Sequence, residues 1–281
     1  MMEMLLEPFS YVYMQKAIAV CGLVGGVSAF LSAYLVLKGW SLMGDALSHS
    51  IVPGVAIAYM LGFPYAAGAF FAGVLAALSM AMVKKASGLR EDTVIGLVFT
   101  TFFAVGLLLV SINPTAVNIQ AIILGNILAI SDSDIFQVAL ISGISLFVLL
   151  LKWKDLAAVF FDENHARSVG LKVDFLKILF FTLLSATTVA ALQTVGACLV
   201  IAMVVTPGAS AYLLTDRFGR MIVIAVVLGS VTSALGAYLS FFVNASTGGL
   251  IVTMQTLIFL GVFLFAPKHG VLRARWRRRA A

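Results

Sequence analysis

Charge is scarce in this sequence. Asp, Glu, Lys and Arg make up 11% of its 281 residues, against 62% hydrophobic ones. A soluble domain carries roughly 25% charged and roughly 45–50% apolar residues. So little polar surface excludes a soluble enzyme, a disordered tail and a collagen-like fibre. It leaves a polytopic, all-α membrane protein built as one domain over residues 1–281. Cysteine is nearly absent: Cys21 and Cys198 lie in apolar runs without C-x-x-C or zinc-ligand spacing, and read as small core residues. The first ten residues hold Glu3 and Glu7 but no Lys or Arg, so no removable signal peptide is expected.

What is present is long apolar runs. A spanning helix needs about 20 mainly apolar residues. Nine segments qualify: 17–37, 40–61, 66–83, 93–111, 135–151, 175–192, 195–214, 221–243 and 250–266. Continuous runs of this length, without alternation, exclude a β-barrel. The second segment is unusual in holding Asp45, His49 and Pro53.

The few basic residues fall on one side of a nine-span layout. With the C-terminus in the cytoplasm, that side takes Lys38, then Lys84, Lys85 and Arg90, then Lys152, Lys154, Arg167, Lys172 and Lys177. Arg217 and Arg220 follow, and then Lys268 and the arginines of 273–279. Only Lys16 is left outside. The positive-inside rule therefore predicts N-out and C-in. The basic tail, 267–281, reads as a topology anchor on anionic headgroups rather than as a nucleic-acid patch.

Two connections are long. One, 112–134, is external and contains Asn113, Pro114, Asn118, Gln120 and Asn126. The other, 152–174, is cytoplasmic. There Leu156, Val159, Phe160 and Phe161 are too apolar for a free loop, Asp162, Glu163, His165 and Arg167 supply a polar face, and Gly170 can end a short helix. Such an amphipathic helix fits a partner's groove, or else lies on the membrane surface. Small residues, such as Gly22, Gly25, Gly26, Ser28, Ser32 and Ala33, suit close helix packing. A weak echo links 25–35 with 229–239. Gln193-Thr194 reads as an external turn, Thr206-Pro207-Gly208 as a break, and Asn244 and Thr247 as caps.

One acid falls inside a span: Asp45, with His49 four residues on. Positions i and i+4 share a helix face. A carboxylate and an imidazole there make half of a divalent-metal site, and an intramembrane acid is a functional hypothesis by default; the plainer alternative is an Asp–His hydrogen bond at the cytoplasmic end of the span, reached by water. Two ligands are too few to close a site. A symmetric dimer with this helix at its axis would bring two Asp and two His. Pro53-Gly54, a turn later, could kink the helix and free a carbonyl near the site, or serve packing alone.

The chain carries no G-x-x-x-x-G-K-S/T phosphate loop and no series of intramembrane acids for proton coupling. That points to an ATP hydrolase on a separate chain, docked on the 152–174 segment.

Several stretches resemble the metal-ion ABC permeases, the membrane subunits of bacterial manganese, zinc and iron importers. The hallmark is Leu37 to Gly54; Arg90-Glu91-Asp92-Thr93, Ile123-Leu124-Gly125-Asn126, 162–170, 192–196 and Thr206-Pro207-Gly208-Ala209 match as well. The likeness covers about residues 8–270 and is greatest to the manganese/chelated-iron branch. It implies a fold like that of the vitamin B12-type (type II) importers, a bacterial inner-membrane location, and no permanent cofactor. It further implies a second permease subunit, identical or paralogous, a cytoplasmic ATPase dimer that binds ATP, and an external solute-binding protein. By position, Asp45 and His49 match the family's cation-coordinating pair. Phe161, Asp162, Glu163, Arg167 and Gly170 fall in its ATPase-coupling segment, and Pro53 and Gly54 keep its Pro-Gly. Two other classes stand beside the importer: an ion-gradient-driven metal transporter or channel, and an intramembrane enzyme using Asp45 and His49. The second lacks H-E-x-x-H, G-x-S-x-G and any paired intramembrane Asp.

Overall fold

A computed structural model describes residues 2–40, 42–112 and 131–266. The polar residues expected in the outer connection, from Asn113 to Asn126, and the basic tail 267–281 lie outside the described residues. Within them every regular element is an α-helix. In chain order these are α1 (Met2–Ser10), α2 (Val12–Lys38), α3 (Leu42–Ser50), α4 (Val52–Leu61), α5 (Tyr65–Ser87) and α6 (Glu91–Ile112). They continue as α7 (Asp132–Phe161), α8 (Glu163–Ser168), α9 (Val173–Val195), α10 (Ala197–Leu214), α11 (Phe218–Val243) and α12 (Thr247–Phe265). Seven are long and apolar enough to cross a membrane: α2, α5, α6, α7, α9, α11 and α12.

The bundle is built around α2, which touches α7, α9, α10 and α11. Close approach is made by small residues. A Cβ on Gly25 would lie 2.6 Å from the Gly229 carbonyl oxygen, and one on Gly229 would lie 2.6 Å from that of Gly25. The echoing segments 25–35 and 229–239 thus sit on two helices that cross at contact distance. Without a side chain at the crossing, backbones approach and dispersion replaces the missing hydrophobic drive.

The structure departs from the sequence reading in five places. The expected 40–61 span is two helices: α3 ends at Ser50, Ile51 forms the joint, and Pro53 sits in the first turn of α4. Pro53 has no N–H to give the His49 carbonyl, so the ladder stops there. The hydroxyls of Ser48 and Ser50 bond back to the Gly44 and Ala46 carbonyls (2.7 and 2.6 Å), which weakens the last turn of α3 further.

The connection expected from Lys152 is helical as far as Phe161. Leu156, Val159 and Phe160 are buried at helical spacing, while Lys152 pairs with Asp155 (3.0 Å) on the outer side. The charges therefore end the apolar run but not the helix.

The expected break at Thr206-Pro207-Gly208 is absorbed inside α10. Ser32 of α2 bridges it: its hydroxyl donates to the Val205 carbonyl (3.1 Å) and accepts the Gly208 N–H (3.0 Å). The turn expected at Gln193-Thr194 comes at Gly196, beyond the end of α9. Of the expected caps, Asn244 ends α11 in the left-handed region (φ 53°), and Ser246 rather than Thr247 caps α12.

Candidate metal path and coupling segment

α3 brings Asp45 and His49 together. One turn apart on the same face, His49 Nε2 lies 3.3 Å from Asp45 Oδ1. The carboxylate oxygen is shielded from solvent yet accepts no hydrogen bond: the two atoms are close, but the imidazole N–H is not aimed at the oxygen. An anionic oxygen left this way is costly. An oxygen and a nitrogen donor thus lie side by side on one face of α3, a pairing whose chemistry suits a divalent cation.

The His49 ring is held by α6, against Phe99 and Phe103 (centroids 5.7 and 5.5 Å), which stack on each other. Gly44 lets α10 approach from the other side, where a Cβ would meet Val204 at 3.0 Å. Behind the pair the α3–α4 joint is clamped. Gly106 of α6 leaves room for Val52 and the Pro53 nitrogen. Gly54 packs against Gly68 of α5 so closely that a Cβ on either would collide with the other's carbonyl. Among the described residues no group of three or more His, Cys, Asp or Glu is placed to hold a metal. Asp45 and His49 are moreover 35% and 28% exposed at the side chain. The site is half of something.

Residues 161–170 form a capped elbow. Asp162 caps α8, its Oδ1 accepting the N–H groups of Asn164 (2.9 Å) and His165 (3.1 Å). Ala166 is buried beneath. Gly170, at φ 84°, takes the left-handed conformation that turns the chain into α9. Glu163 pairs with Lys177 (2.6 Å) and reaches towards Lys38 (4.0 Å), and Arg167 pairs with Asp174 (3.1 Å). Phe161 stays 61% exposed, its inner edge on Phe218. The elbow is thus braced from within and presents an aromatic ring outward.

The sequence reading missed the brace behind this elbow. Tyr34, Trp40, Phe160, Phe180, Phe181 and Phe218 form one aromatic cluster. Tyr34 donates to the Trp153 carbonyl (2.8 Å), and the Trp40 indole N–H donates to the Glu91 carboxylate. Trp40 and Glu91 were visible only as parts of two separate motifs; nothing in the spacing says that they touch.

Comparison with known proteins gives the chain a family. A family model described as "ABC 3 transport family" matches residues 10–266. The chelated iron transport system membrane protein YfeC of Yersinia pestis is 68% identical over 279 residues, which is 99% of this chain and 95% of that protein. The manganese transport system membrane protein MntB of Synechocystis is 48% identical, over 98% of this chain and 90% of that one. A solved structure of PsaBC from Streptococcus pneumoniae, in complex with Fab, superposes with a TM-score of 0.85 at 33% identity, covering 98% of this chain and all of that chain. With a family model matched nearly end to end and a relative 68% identical over 99% of this sequence, the chain belongs to the ABC 3 transport family.

Proposed function

We propose that this chain is the permease subunit of an ATP-driven importer that carries a divalent transition-metal cation, Mn2+ or Fe2+, across the bacterial inner membrane. One observation carries the reading: Asp45 Oδ1, shielded from solvent and without a hydrogen bond, 3.3 Å from His49 Nε2. Carboxylate with imidazole suits manganese and iron, and zinc shares part of that chemistry. The relatives named above are iron and manganese system proteins.

The half-site needs a partner. In lipid a part-exposed carboxylate is unfavourable, and a second permease subunit, identical or paralogous, packed on the α3–α6 face would cover it and double the ligand set. The entire chain is then one membrane domain with nine crossings: the seven long helices, α10, and α3 with α4 as one broken span. Its N-terminus lies outside and its C-terminus inside. The elbow carrying Phe161, Asp162, Glu163, Arg167 and Gly170 meets the cytoplasmic ATPase dimer, which binds the ATP; a solute-binding protein delivers the metal outside. Pro53 and Gly54 keep the span broken beside the ligands, and α3 can tilt without dragging α4 along.

The test is uptake of radioactive Mn2+ by proteoliposomes holding the whole importer. Asp45→Ala and His49→Ala are expected to cut uptake by more than the roughly 10–100-fold that loss of a ligand-supporting hydrogen bond costs, with assembly intact. Normal uptake by Asp45→Ala sinks the site. Movement of Mn2+ by the chain alone, driven by a proton gradient, sinks the ATP-driven reading.

A further inference from the structure

Trp40 stands between the two regions described above. It closes the turn from α2 to α3: its N–H donates to the Leu35 carbonyl (2.8 Å) and its carbonyl accepts the Met43 N–H (3.0 Å). Its ring lies flat on Phe181 (5.7 Å, 22°) and edge-on to Phe160 (5.6 Å). The indole N–H, a donor only, goes to the carboxylate of Glu91 in the first turn of α6. An ionised acceptor strengthens such a bond, and a helix N-terminus favours the negative charge.

This bond ties the same ends of the two helices that build the ligand pair. Asp45 follows Trp40 by five residues, while Phe99 and Phe103, which hold the His49 ring, stand about two and three turns beyond Glu91. On its other side Trp40 rests on Phe160, which directly precedes the elbow, and Lys38 faces Glu163 inside it. α3 itself is nine residues long, bounded by the left-handed Gly39 turn (φ 74°) and by the Ile51–Pro53 joint. A short rigid helix hinged at both ends is steered by whatever grips one end, and Trp40 is that grip.

We propose that the Trp40–Glu91 bond is a latch that transmits movement of the ATPase-facing elbow to the α3–α6 pair, so that the Asp45–His49 ligands open and close with the ATPase cycle. Trp40 and Glu91 are positioning residues in this scheme, acting through α3 and α6. The latch rests on the importer reading above, and its test is chosen to separate the two.

The whole importer, with its ATPase and solute-binding partners, is placed in proteoliposomes, and Mn2+ delivered per ATP hydrolysed is measured. Trp40→Phe keeps an aromatic ring and removes the donor; Glu91→Ala removes the acceptor; Glu91→Gln keeps an acceptor oxygen. Trp40→Phe and Glu91→Ala are each expected to lower the ratio roughly tenfold, with basal hydrolysis and assembly retained. Glu91→Gln keeps most of the wild-type ratio, and the Trp40→Phe/Glu91→Ala double variant loses no more than either single one. A wild-type ratio in both single variants, or additive losses in the double, overturns the latch. Parallel loss of hydrolysis, uptake and assembly overturns it too, since that marks a tie that only holds the fold. Asp45→Ala in the same preparation separates the readings. Wild-type uptake by that variant removes the metal site, whereas a dead Asp45→Ala beside a normal Trp40→Phe removes the latch alone.

Discussion

Glycine shows how differently one residue type can act. Gly25 and Gly229 form the crossing of α2 and α11, and a Cβ at position 25 would also run into Ser233. Gly261, on α12, has nothing within 4 Å of the same added atom. Gly25→Val therefore overpacks a backbone contact, at a cost of about 3 kcal/mol, and is expected to lower the thermal midpoint of the detergent-solubilised protein sharply. Gly261→Ala should leave that midpoint unchanged or slightly higher, because alanine gains about 0.5–1 kcal/mol of helix preference over glycine. Equal behaviour of the two variants would refute the crossing. The sequence shows that 22–33 is rich in small residues and that 229–239 echoes part of it. It does not show that the two face each other, because small-residue patterns announce close approach without naming the partner. Asp45 is the opposite case. A lone acid in an apolar run is legible at once, since lipid makes every such charge conspicuous.

At the scale of the element, the informative features are where helices stop and where they do not. Pro53 and Pro207 carry the same chemistry, each lacking the N–H that its fourth preceding carbonyl needs. Pro207 stays inside α10, where Ser32, from α2, bonds the flanking Gly208 N–H and Val205 carbonyl. At Pro53 the two serines at the end of α3 turn their hydroxyls to carbonyls within α3, and α3 parts from α4. Both sites read as breaks in the sequence, because the hydroxyl that braces α10 lies 175 positions from Pro207 and no local pattern announces it. Pro53→Ala restores an N–H within reach of the His49 carbonyl and should fuse α3 with α4. We expect stability to rise by about 1 kcal/mol, read as a higher thermal midpoint, while Mn2+ uptake falls several-fold because α3 can no longer tilt by itself. Unchanged uptake would reduce the break to a packing kink. The run-on of α7 to Phe161 was illegible for a related reason. Lys152, Lys154 and Asp155 end the apolar signal, whereas the burial of Leu156, Val159 and Phe160 that sustains the helix depends on neighbours far along the chain.

At the scale of the molecule, the proposed orientation puts chemically different residues at the two ends. Tyr11, Tyr13 and Tyr65 lie with Phe63 at the ends of helices assigned to the outside, all of them exposed. Aromatic rings of this kind favour the membrane–water boundary. Lys38, Lys84, Lys85, Arg167 and Lys177 lie at ends assigned to the inside. The one basic residue that breaks the pattern, Lys16, is paired with Asp132 at 2.7 Å, so its charge is locally balanced. N-out with nine crossings places Phe63, in the α4–α5 turn, outside, and Ser168, in the elbow, inside. Introduced into a chain whose Cys21 and Cys198 are replaced by Ala, Phe63→Cys should react with a membrane-impermeant maleimide on intact spheroplasts. Ser168→Cys should react only after lysis. The two positions are separated by three long apolar helices, α5, α6 and α7, an odd number, so they must lie on opposite faces if each helix crosses once. Labelling of both from the same side would remove a crossing between them. Labelling of Ser168→Cys alone on intact spheroplasts would turn the molecule over and take the elbow away from any cytoplasmic ATPase. One experiment that needs neither metal nor ATP therefore tests both the side on which 161–170 lies and the three crossings between Phe63 and Ser168.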